Sequence, residues 1–335
     1  MTPIKLKAPL KDYLWGGTRL KTDFGKKTDL EKVAESWELS CHKDGPSVVA
    51  SGEDQGLTLP QYLEKHGKGV LGTHGERFQD FPILIKLIDA KDNLSIQVHP
   101  DNEFALRVEG EYGKTEMWYI VDCEPGAYLY YGFQKEISKA EFKERIENNT
   151  LLEVLNKVPV HKGDVFFISA GTLHAIGKGI LIAEIQQNSN TTYRIYDYGR
   201  VGADGKPRQL HVEKAQMVTR LAPPDREPKP QGQPERFPGG VRTLLSSCEY
   251  FTVTQISLSG KEEFSADHTS FHSLLMLEGE AVLSWSNGVM RITKGESVLV
   301  PANTGRYTLE GKGELVLTTT VSYTHLRAHE TELHL

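Results

Sequence analysis

The sequence predicts a strand-dominated protein in which one β unit occurs twice. Short β-rich runs, separated by Gly, Pro, Asn and Asp, recur along most of the chain. This spacing is typical of sandwiches and small barrels rather than of α/β sheets. A related unit occurs at 162–176 and again at 294–309, on either side of a proline-rich stretch. We therefore expect one β unit to have been used twice, in two domains.

The predicted strands are runs of four to eight or more β-branched, aromatic and aliphatic residues, bounded by turn residues. Such runs pack as half-buried or fully buried strands, depending on which faces are covered. The clearest of them are 81–88 (FPILIKLI), 116–122 (EMWYIVD), 164–169 (DVFFIS), 251–258 (FTVTQISL), 272–285 (HSLLMLEGEAVLSW) and 296–302 (ESVLVPA).

Two local signals predict helices. Thr58 and Gln61 form a capping-box pattern at the start of TLPQYLEKHG, and Ser138 and Glu141 repeat the pattern at the start of 138–156. The second segment has apolar residues that suit one helix face, with a break at its two central asparagines. We expect it to be a helical insertion, at about 135–158, between strands of the N-terminal half.

Composition divides the chain further. Residues 221–240 hold six of the sixteen prolines and few apolar residues, which is typical of a linker. We therefore predict a first domain over 1–220 and a second over 241–321. The last segment, 322–335, resembles nothing before it and holds three of the twelve histidines. We interpret it as a non-native tail and exclude it from the functional argument.

Bulk properties restrict the partners. The net charge of −6 is spread over the 335 residues with no basic block, which argues against nucleic acid and anionic membranes as partners. The three cysteines include no CxxC pair, so neither a disulfide framework nor a thiolate zinc site is indicated. The N-terminus lacks the apolar run of a signal peptide, and we expect a cytoplasmic protein.

Polar side chains interrupt the predicted strands at four points. Gln97 and His99 stand two apart in LSIQVHPD, Glu116 opens EMWYIVD, and His174 follows VFFISAGTL. Alternate strand residues share a face, so the first two side chains point the same way. Two imidazoles, a carboxylate and an amide oxygen suit Zn²⁺, with Mn²⁺ or Fe²⁺ as alternatives. A buried polar pair satisfied by backbone groups is the other interpretation.

The spacing of these residues resembles the two sequence motifs of the cupin superfamily. Gly163, Ser169, Gly171 and His174 fit its second motif, with serine where proline is usual. The first motif has Gln-x-His in place of the common His-x-His, and this departure resembles the type I mannose-6-phosphate isomerases (phosphomannose isomerases). WGG at 15–17, ESWELS at 35–40 and TTYRIYDYGR at 191–200 are similar to the short bacterial branch of that family. The resemblance runs from about residue 8 to 320 and implies a tandem cupin, two jelly-roll-like β-barrels.

The resemblance implies a role for each candidate site residue. It makes Gln97, His99, Glu116 and His174 the ligands of one zinc ion per chain. It identifies Arg194 as the active-site arginine and Lys114 as a candidate proton carrier. Four further positions are implied to bind substrate: Ser95 and Arg200 as candidates for holding phosphate, and Lys86 and Glu184 in the pocket wall. Each non-ligand residue except Arg194 also has an ordinary structural interpretation. Lys114 would be a solvated turn residue, Ser95 a backbone partner, Arg200 a surface cation, Lys86 a snorkelling edge residue and Glu184 the partner of a neighbouring base.

The second copy of the β unit carries Arg306 at the position of His174. We therefore expect a metal-free second barrel. The implied activity is interconversion of D-mannose 6-phosphate and D-fructose 6-phosphate through a cis-enediol, by a monomer or weak homodimer. A cupin dioxygenase with Fe²⁺ and a non-catalytic sugar-binding cupin stay open as alternatives.

Overall fold

A computed structural model of the chain describes residues 1–202 and 205–321. The predicted tail at 322–335 lies outside the described residues. Strands dominate, in three sheets, and the predicted all-β class is confirmed. Within the described part of the chain, no helix combines the length and the apolar character that crossing a membrane requires.

The strands in chain order are β1 Ile4–Lys7, β2 Leu10–Lys11, β3 Glu35–Leu39, β4 Val48–Val49, β5 Ile83–Ala90, β6 Ile96–Val98, β7 Glu116–Cys123, β8 Tyr128–Phe133, β9 Leu155–Pro159, β10 Val165–Ile168, β11 His174–Ala175, β12 Ile180–Gln187, β13 Tyr193–Tyr196, β14 Glu235–Phe237, β15 Gly240–Ser247, β16 Thr252–Ala266, β17 His272–Trp285, β18 Gly288–Thr293, β19 Ser297–Val300 and β20 Gly305–Thr319. The α-helices are α1 Arg19–Thr22, α2 Leu59–His66, α3 Asn102–Val108, α4 Lys139–Glu147 and α5 Val212–Val218, and short 3₁₀ helices cover Lys68–Val70, Thr73–Gly75 and Leu151–Glu153.

The first barrel consists of two sheets that face each other. One has the strand order β10-β7-β12-β5-β3-β2 and the other β13-β6-β11-β8-β9. Apolar side chains of both sheets, among them Ile182 and Leu129, form the core between them. The rings of Tyr131 and Phe166 meet edge to face across this core, with centroids 5.4 Å apart.

Helices cover the outer face of the five-stranded sheet. Phe142 of α4 packs edge to face on Phe133, and Ala215 of α5 is buried in the same cluster. The predicted insertion is therefore present, but it is shorter than expected. Helix α4 begins after the Ser138 cap and ends at Glu147, and Asn149 has a φ of 61°. Left-handed backbone stops a helix, and the chain enters β9 at Leu155.

The third sheet has nine strands and includes the first strand of the chain. Its order is β14-β15-β16-β20-β17-β19-β1-β4, with β18 paired to β17. Ile4 of β1 pairs with Leu299 of β19, so the chain's beginning lies in the sheet of the C-terminal half. One face of this sheet encloses its own apolar core. The other packs on the six-stranded sheet, where Phe81 and Phe271 stack with centroids 5.5 Å apart.

The proline-rich segment 221–240 carries one short strand, β14, at the edge of the nine-stranded sheet. Its residues are mostly exposed, as expected for an edge strand outside a core. The division into domains at this segment stays a prediction. Strands β1 and β4 of the N-terminal half lie in the sheet that is otherwise formed by the C-terminal half.

Candidate active site

Neighbouring strands of the first barrel position the four predicted metal ligands. Gln97 lies in β6, His99 directly follows that strand, and His174 begins β11. Gln97 and His174 are opposite each other in the β6–β11 ladder. Glu116 begins β7 in the facing sheet, so the carboxylate approaches the imidazoles from across the barrel. The site lies between the two sheets because each contributes ligands to the space they enclose.

The four side chains converge at short distances. Nε2 of His174 lies 3.4 Å from Oε1 of Glu116, and Nε2 of His99 lies 3.7 Å from Oε2. The amide nitrogen of Gln97 lies 3.4 Å from Nε2 of His174. Rotating the amide half a turn places its oxygen on the same side, since the two ends of an amide are nearly the same shape. Over residues 1–202 and 205–321, His99, Glu116 and His174 are the one group of at least three such side chains arranged to hold a metal.

Backbone carbonyls orient both imidazoles. Nδ1 of His99 lies 3.0 Å from the carbonyl oxygen of Thr191, and Nδ1 of His174 lies 2.8 Å from that of Thr172. A carbonyl accepts only, so Nδ1 donates and each Nε2 presents its lone pair to the centre of the group. Metal-bound histidines are oriented in this way by their second nitrogen.

The electrostatics of the group suit a cation. Glu116 is fully buried, and neither carboxylate oxygen accepts a hydrogen bond of acceptable geometry. Burial raises the pKa of Glu116 to about 7. Burial lowers the pKa of His174 to about 4 and that of His99 well below its usual value, so both rings are neutral at pH 7. Neutral imidazoles and a buried carboxylate are a donor set that fits a divalent metal.

Lys114 stands beside the ligands. Its Nζ lies 3.0 Å from Oε2 of Glu116 and 3.2 Å from Nε2 of His99. The side chain is buried and lines the cleft described below. Lys114 is therefore no solvated turn residue, which was its ordinary structural interpretation.

A second group of buried charges forms the floor of the site. Nζ of Lys86 lies 3.0 Å from Glu184 and 3.8 Å from Glu35, and strand pairing places Lys86 opposite Glu184. Burial alone would lower the pKa of Lys86, but the charges of Glu184 and Glu35 outweigh it and raise that pKa. The indoles of Trp118 and Trp37 donate to the two carboxylates at 3.0 and 2.7 Å. These hydrogen bonds from the indoles hold both carboxylates in place beside Lys86.

A cleft of about 330 Å³ opens over both groups. Its lining residues are Tyr13, Trp15, Glu35, Lys86, Ile88, Leu94, Ser95, Gln97, Lys114, Ile176, Glu184, Asn190, Thr192, Arg194 and Arg208. A larger cavity, of about 670 Å³, lies beside His42 and Glu111 and is lined by none of the predicted site residues. We place the site at the smaller cleft because Gln97 of the ligand group and Lys114 beside that group line it, while the other three ligands are buried and do not reach its surface.

Arg194 lies in β13, opposite Gln97 in the ladder. Its Nη1 donates to the carbonyl of Gln209 at 3.1 Å, and its buried Nε has no hydrogen-bond partner. Burial, and then the charge of Arg208, lower the pKa of Arg194. A partly buried guanidinium with an unsatisfied nitrogen is available for an anionic group.

Strand β13 ends at Tyr196. Tyr198 and Gly199 both have positive φ, of 57° and 66°, and this turn takes Arg200 away from the face of Arg194. Arg200 donates to the carbonyl of Asn93 at 2.5 Å and pairs with Asp197, and it is absent from the cleft lining. Ser95 does line the cleft, with its hydroxyl 3.4 Å from Oε1 of Gln97.

Sequence reasoning missed Arg208, whose side chain lines the cleft. It stands in a turn-rich segment without a motif, and Asp197, its partner, is eleven residues earlier. Sequence reasoning also missed Glu35, although ESWELS was noted as family-like. An acidic residue opening an apolar strand, as Glu116 does, was the available signal.

Comparison with known proteins identifies the family of the chain. Residues 4–122 match the family "Phosphomannose isomerase type I, catalytic domain", and residues 241–320 match "Mannose-6-phosphate isomerase, cupin domain". The mannose-6-phosphate isomerase ManA of Bacillus subtilis is 39% identical over 94% of this chain and 98% of its own. The mannose-6-phosphate isomerase of Streptococcus mutans is 35% identical over 94% of this chain and 97% of its own.

A solved structure agrees over the whole fold. The crystal structure of the mannose 6-phosphate isomerase from Bacillus subtilis superposes with a TM-score of 0.88, at 35% identity, over 95% of this chain and 99% of that one. The chain therefore belongs to the type I phosphomannose isomerase family, as the Gln-x-His motif and its companions predicted.

Proposed function

We propose that the protein is a zinc-dependent isomerase that interconverts D-mannose 6-phosphate and D-fructose 6-phosphate through a cis-enediol. The observation that carries the proposal is the buried group of His99, Glu116 and His174 beside a cleft lined by lysine and arginine. The relatives named above bear this activity in their names.

Gln97, His99, Glu116 and His174 would hold one Zn²⁺, which accepts nitrogen and oxygen donors. When bound, a divalent ion polarises carbonyl and hydroxyl oxygens. The carboxylate of Glu116, which accepts no well-formed hydrogen bond, supports this assignment. None of the cysteines is needed, since all four donors are nitrogen or oxygen.

The reaction moves one carbon-bound proton between adjacent carbons. A base takes the proton from C2 of the aldose and the carbonyl oxygen on C1 gains a proton, which gives the enediol. The carbon-bound proton is then returned to C1 and the hydroxyl on C2 loses its proton, which gives the ketose. Lys114 is the proposed proton carrier, because its amine lines the cleft beside the ligand group. Arg194 would stabilise the negative oxygen that develops as the proton leaves C2, since its buried Nε has no partner.

The floor of the cleft would bind the sugar. Glu184 and Lys86 line it as a fixed pair that can accept from and donate to sugar hydroxyls. Ser95, which also lines it, would contact the substrate near Gln97. Arg200 would contribute to phosphate binding indirectly, through its ion pair with Asp197.

We also propose a cytoplasmic monomer or weak homodimer with no nucleic-acid or membrane partner. Support comes from the three cysteines, which are all unpaired, as is typical of a reducing compartment. The even spread of charge, with a net value of −6, supports the absence of polyanionic partners.

The test is a coupled assay of purified, zinc-loaded protein with mannose 6-phosphate, with oxygen consumption followed in parallel. The proposal predicts steady formation of fructose 6-phosphate, no oxygen uptake, and loss of turnover when a chelator removes the metal. Oxygen uptake with Fe²⁺-loaded protein would favour a dioxygenase. Sugar-phosphate binding without turnover would favour a non-catalytic sugar-binding cupin, and either result would overturn the proposal.

A further inference from the structure

The segment 188–192 connects a predicted metal ligand to the wall of the cleft. It runs from the end of β12 to the start of β13. The carbonyl of Thr191 accepts a hydrogen bond from Nδ1 of His99 at 3.0 Å, and the neighbouring Asn190 and Thr192 line the cleft. One short loop therefore contacts both the metal-binding group and the space open to a substrate.

Side chains from two other loops hold this segment, because its residues lie outside the paired registers of β12 and β13. Oε2 of Glu111 accepts from the hydroxyl of Thr191 at 3.3 Å and from the backbone N–H of Asn190 at 3.5 Å. Oδ2 of Asp44 accepts from the side-chain amide of Asn190 at 2.9 Å. Glu111 is thus bonded directly to the residue whose carbonyl orients His99.

Glu111 is itself held in place by its neighbours. Nζ of Lys43 lies 2.9 Å from Oε1, which leaves Oε2 to the segment. Nε2 of the buried His42 lies 3.6 Å from Oε2, and Nδ1 of the same ring accepts from the backbone N–H of Asp44 at 3.1 Å. Partial burial raises the pKa of Glu111, but the hydrogen bond from Lys43 and the charges of His42 and Lys43 outweigh it and lower that pKa. The carboxylate is therefore ionised, and an ionised acceptor forms the stronger hydrogen bonds.

Glu111 lies outside the cleft. Together with His42 it lines the larger cavity, and neither residue belongs to the lining of the cleft. Any effect of Glu111 on the site must therefore pass through the segment. A histidine that binds a metal is oriented by the acceptor at its second nitrogen, and disturbing that acceptor typically weakens metal binding by about 10- to 100-fold.

We infer that Glu111 is a positioning residue, which fixes the carbonyl of Thr191 and through it the ring of His99. The positioning itself is supported by the chain of hydrogen bonds from Glu111 through Thr191 to His99. The consequence for zinc rests on the metal site of the proposed function. The identity of the sugar does not enter.

The test compares Glu111→Ala, Glu111→Gln and the control Lys43→Ala in the full-length protein. The glutamine keeps an acceptor oxygen but loses the charge. Lys43 is 74% exposed, and its removal deletes the ion pair with Oε1 while Oε2 still faces the segment. Competition with a chelator of known affinity gives the zinc dissociation constant. Ring ¹H–¹⁵N NMR spectra of the metal-free proteins show which nitrogen of His99 carries the hydrogen, with His99→Gln used to assign the signal.

Glu111→Ala should raise the zinc dissociation constant by about tenfold, the lower end of the usual range, because the carbonyl is displaced but not removed. In the metal-free protein, the His99 ring should change from the form with hydrogen on Nδ1 to a mixture of both tautomers. Glu111→Gln should fall between the wild type and Glu111→Ala. Lys43→Ala should match the wild type in both measurements.

Thr191→Val separates the hydrogen bond from the general packing of the loop. This variant loses the hydroxyl that donates to Glu111 but keeps the carbonyl that accepts from His99. It should weaken zinc binding on its own and add little in the Glu111→Ala background, because both changes break the same hydrogen bond.

Wild-type zinc affinity and a wild-type His99 tautomer in Glu111→Ala would overturn the inference. A lower zinc affinity with an unchanged tautomer would overturn it too, because the effect would then not pass through His99. If Glu111→Ala does not fold, the same results in Thr191→Val decide the matter. A wild-type protein that binds no zinc would instead overturn the proposed function. The tautomer of His99 in the metal-free variants would then still decide whether Glu111 positions this ring.

Discussion

The two barrels use their interiors in opposite ways. The first encloses charged and polar side chains, with His174, Glu116, Lys86 and Glu184 all almost inaccessible to solvent. In the second, which the nine-stranded sheet forms, the buried polar side chains of residues 241–321 are all uncharged, Ser273 and Gln255 among them. Burying charge is costly unless the groups are paired or bind a ligand, so the first barrel gives up packing energy to keep a reactive cavity.

The repeated β unit shows where the two barrels diverge. In the first copy the residue after the turn is His174, which points into the site. In the second copy Arg306 is 80% exposed and pairs with Glu263. At matching positions of the repeat, the histidine is buried and the arginine is exposed. The comparison teaches that a shared strand-turn unit fixes the backbone path but leaves open which barrel carries chemistry.

Substituting the residue at this matching position should have a large effect in the first barrel and a very small one in the second. His174→Ala should abolish zinc binding and reduce turnover below the detection limit of the coupled assay, because one of two imidazole ligands is lost. Arg306→Ala should leave both unchanged and alter the free energy of unfolding by less than about 1 kcal/mol, as is usual for an exposed ion pair. Metal analysis and kinetics on the two variants give the comparison. Full zinc content in His174→Ala would contradict it.

Arg194→Ala separates chemistry from metal binding within the first barrel. We expect kcat to fall by about 10²–10³-fold, the usual effect of losing one donor that stabilises developing charge. Zinc content should stay at the wild-type level, because Arg194 holds none of the ligand atoms in place through its side chain. An unchanged kcat would assign Arg194 a structural role instead.

For the second barrel we predict an effect on the pH dependence of stability and none on activity. Burial lowers the pKa of His272 to about 4, and its Nδ1 lies 2.7 Å from the hydroxyl of Tyr307. The unfolded chain takes up a proton near pH 6.5 and the folded one only near pH 4. The free energy of unfolding is therefore highest, as far as this group is concerned, above pH 6.5, and it decreases as the pH falls toward 4.

Between pH 7 and pH 4.5 this single histidine should remove about 2 kcal/mol from the free energy of unfolding. His272→Phe should be less stable at pH 7, yet should lose less stability on acidification than the wild type. Urea denaturation at the two pH values measures the difference. The control is His161→Leu, since the His161 side chain is 81% exposed. Equal acid sensitivity of His272→Phe and the wild type would refute this account of the second core.

The last prediction concerns Gly16, next to Trp15 of the cleft lining. A Cβ on Gly16 would lie 2.5 Å from Cβ of Ala34 and 2.6 Å from its Cα. Gly16→Ala should therefore destabilise the fold by about 1–3 kcal/mol, the usual cost of overpacking. Gly69→Ala is the matched control, because the nearest atom there is 3.9 Å away. Thermal unfolding compares the two, and equal midpoints would contradict the close packing of the WGG segment.

Much of the fold was predictable because its signals are local. The caps at Thr58 and Ser138 both accept from the backbone three residues on, as their patterns predicted. The strand over 272–285 forms with the expected bounds. Local sequence specifies caps and strands through hydrogen bonds and side-chain periodicity that act within a few residues.

The elements that escaped prediction depend on distant parts of the chain. Strand β1 pairs with β19, almost 300 residues away, and four residues contain no signal for that partner. Helix α4 stopped early because Asn149 adopts left-handed backbone, which asparagine tolerates but does not require.

The residues of the candidate site likewise fall into a group that the sequence predicts and a group that it does not. The motif residues from Gln97 to His174 lie together because each stands at a strand end or within a strand, where period and pairing decide direction. Arg200 and Arg208 lie in the turns after β13, where the positive φ of Tyr198 decides which guanidinium faces the cleft. The periodicity of the sequence does not indicate which of the two arginines lines the cleft.

The most direct test of the central claim is a zinc titration of metal-free protein with turnover of mannose 6-phosphate as the readout. The account predicts that activity is absent without metal, rises in proportion to added zinc, and saturates at one ion per chain. Full activity in the metal-free protein, or saturation with zinc and no turnover at all, would contradict it.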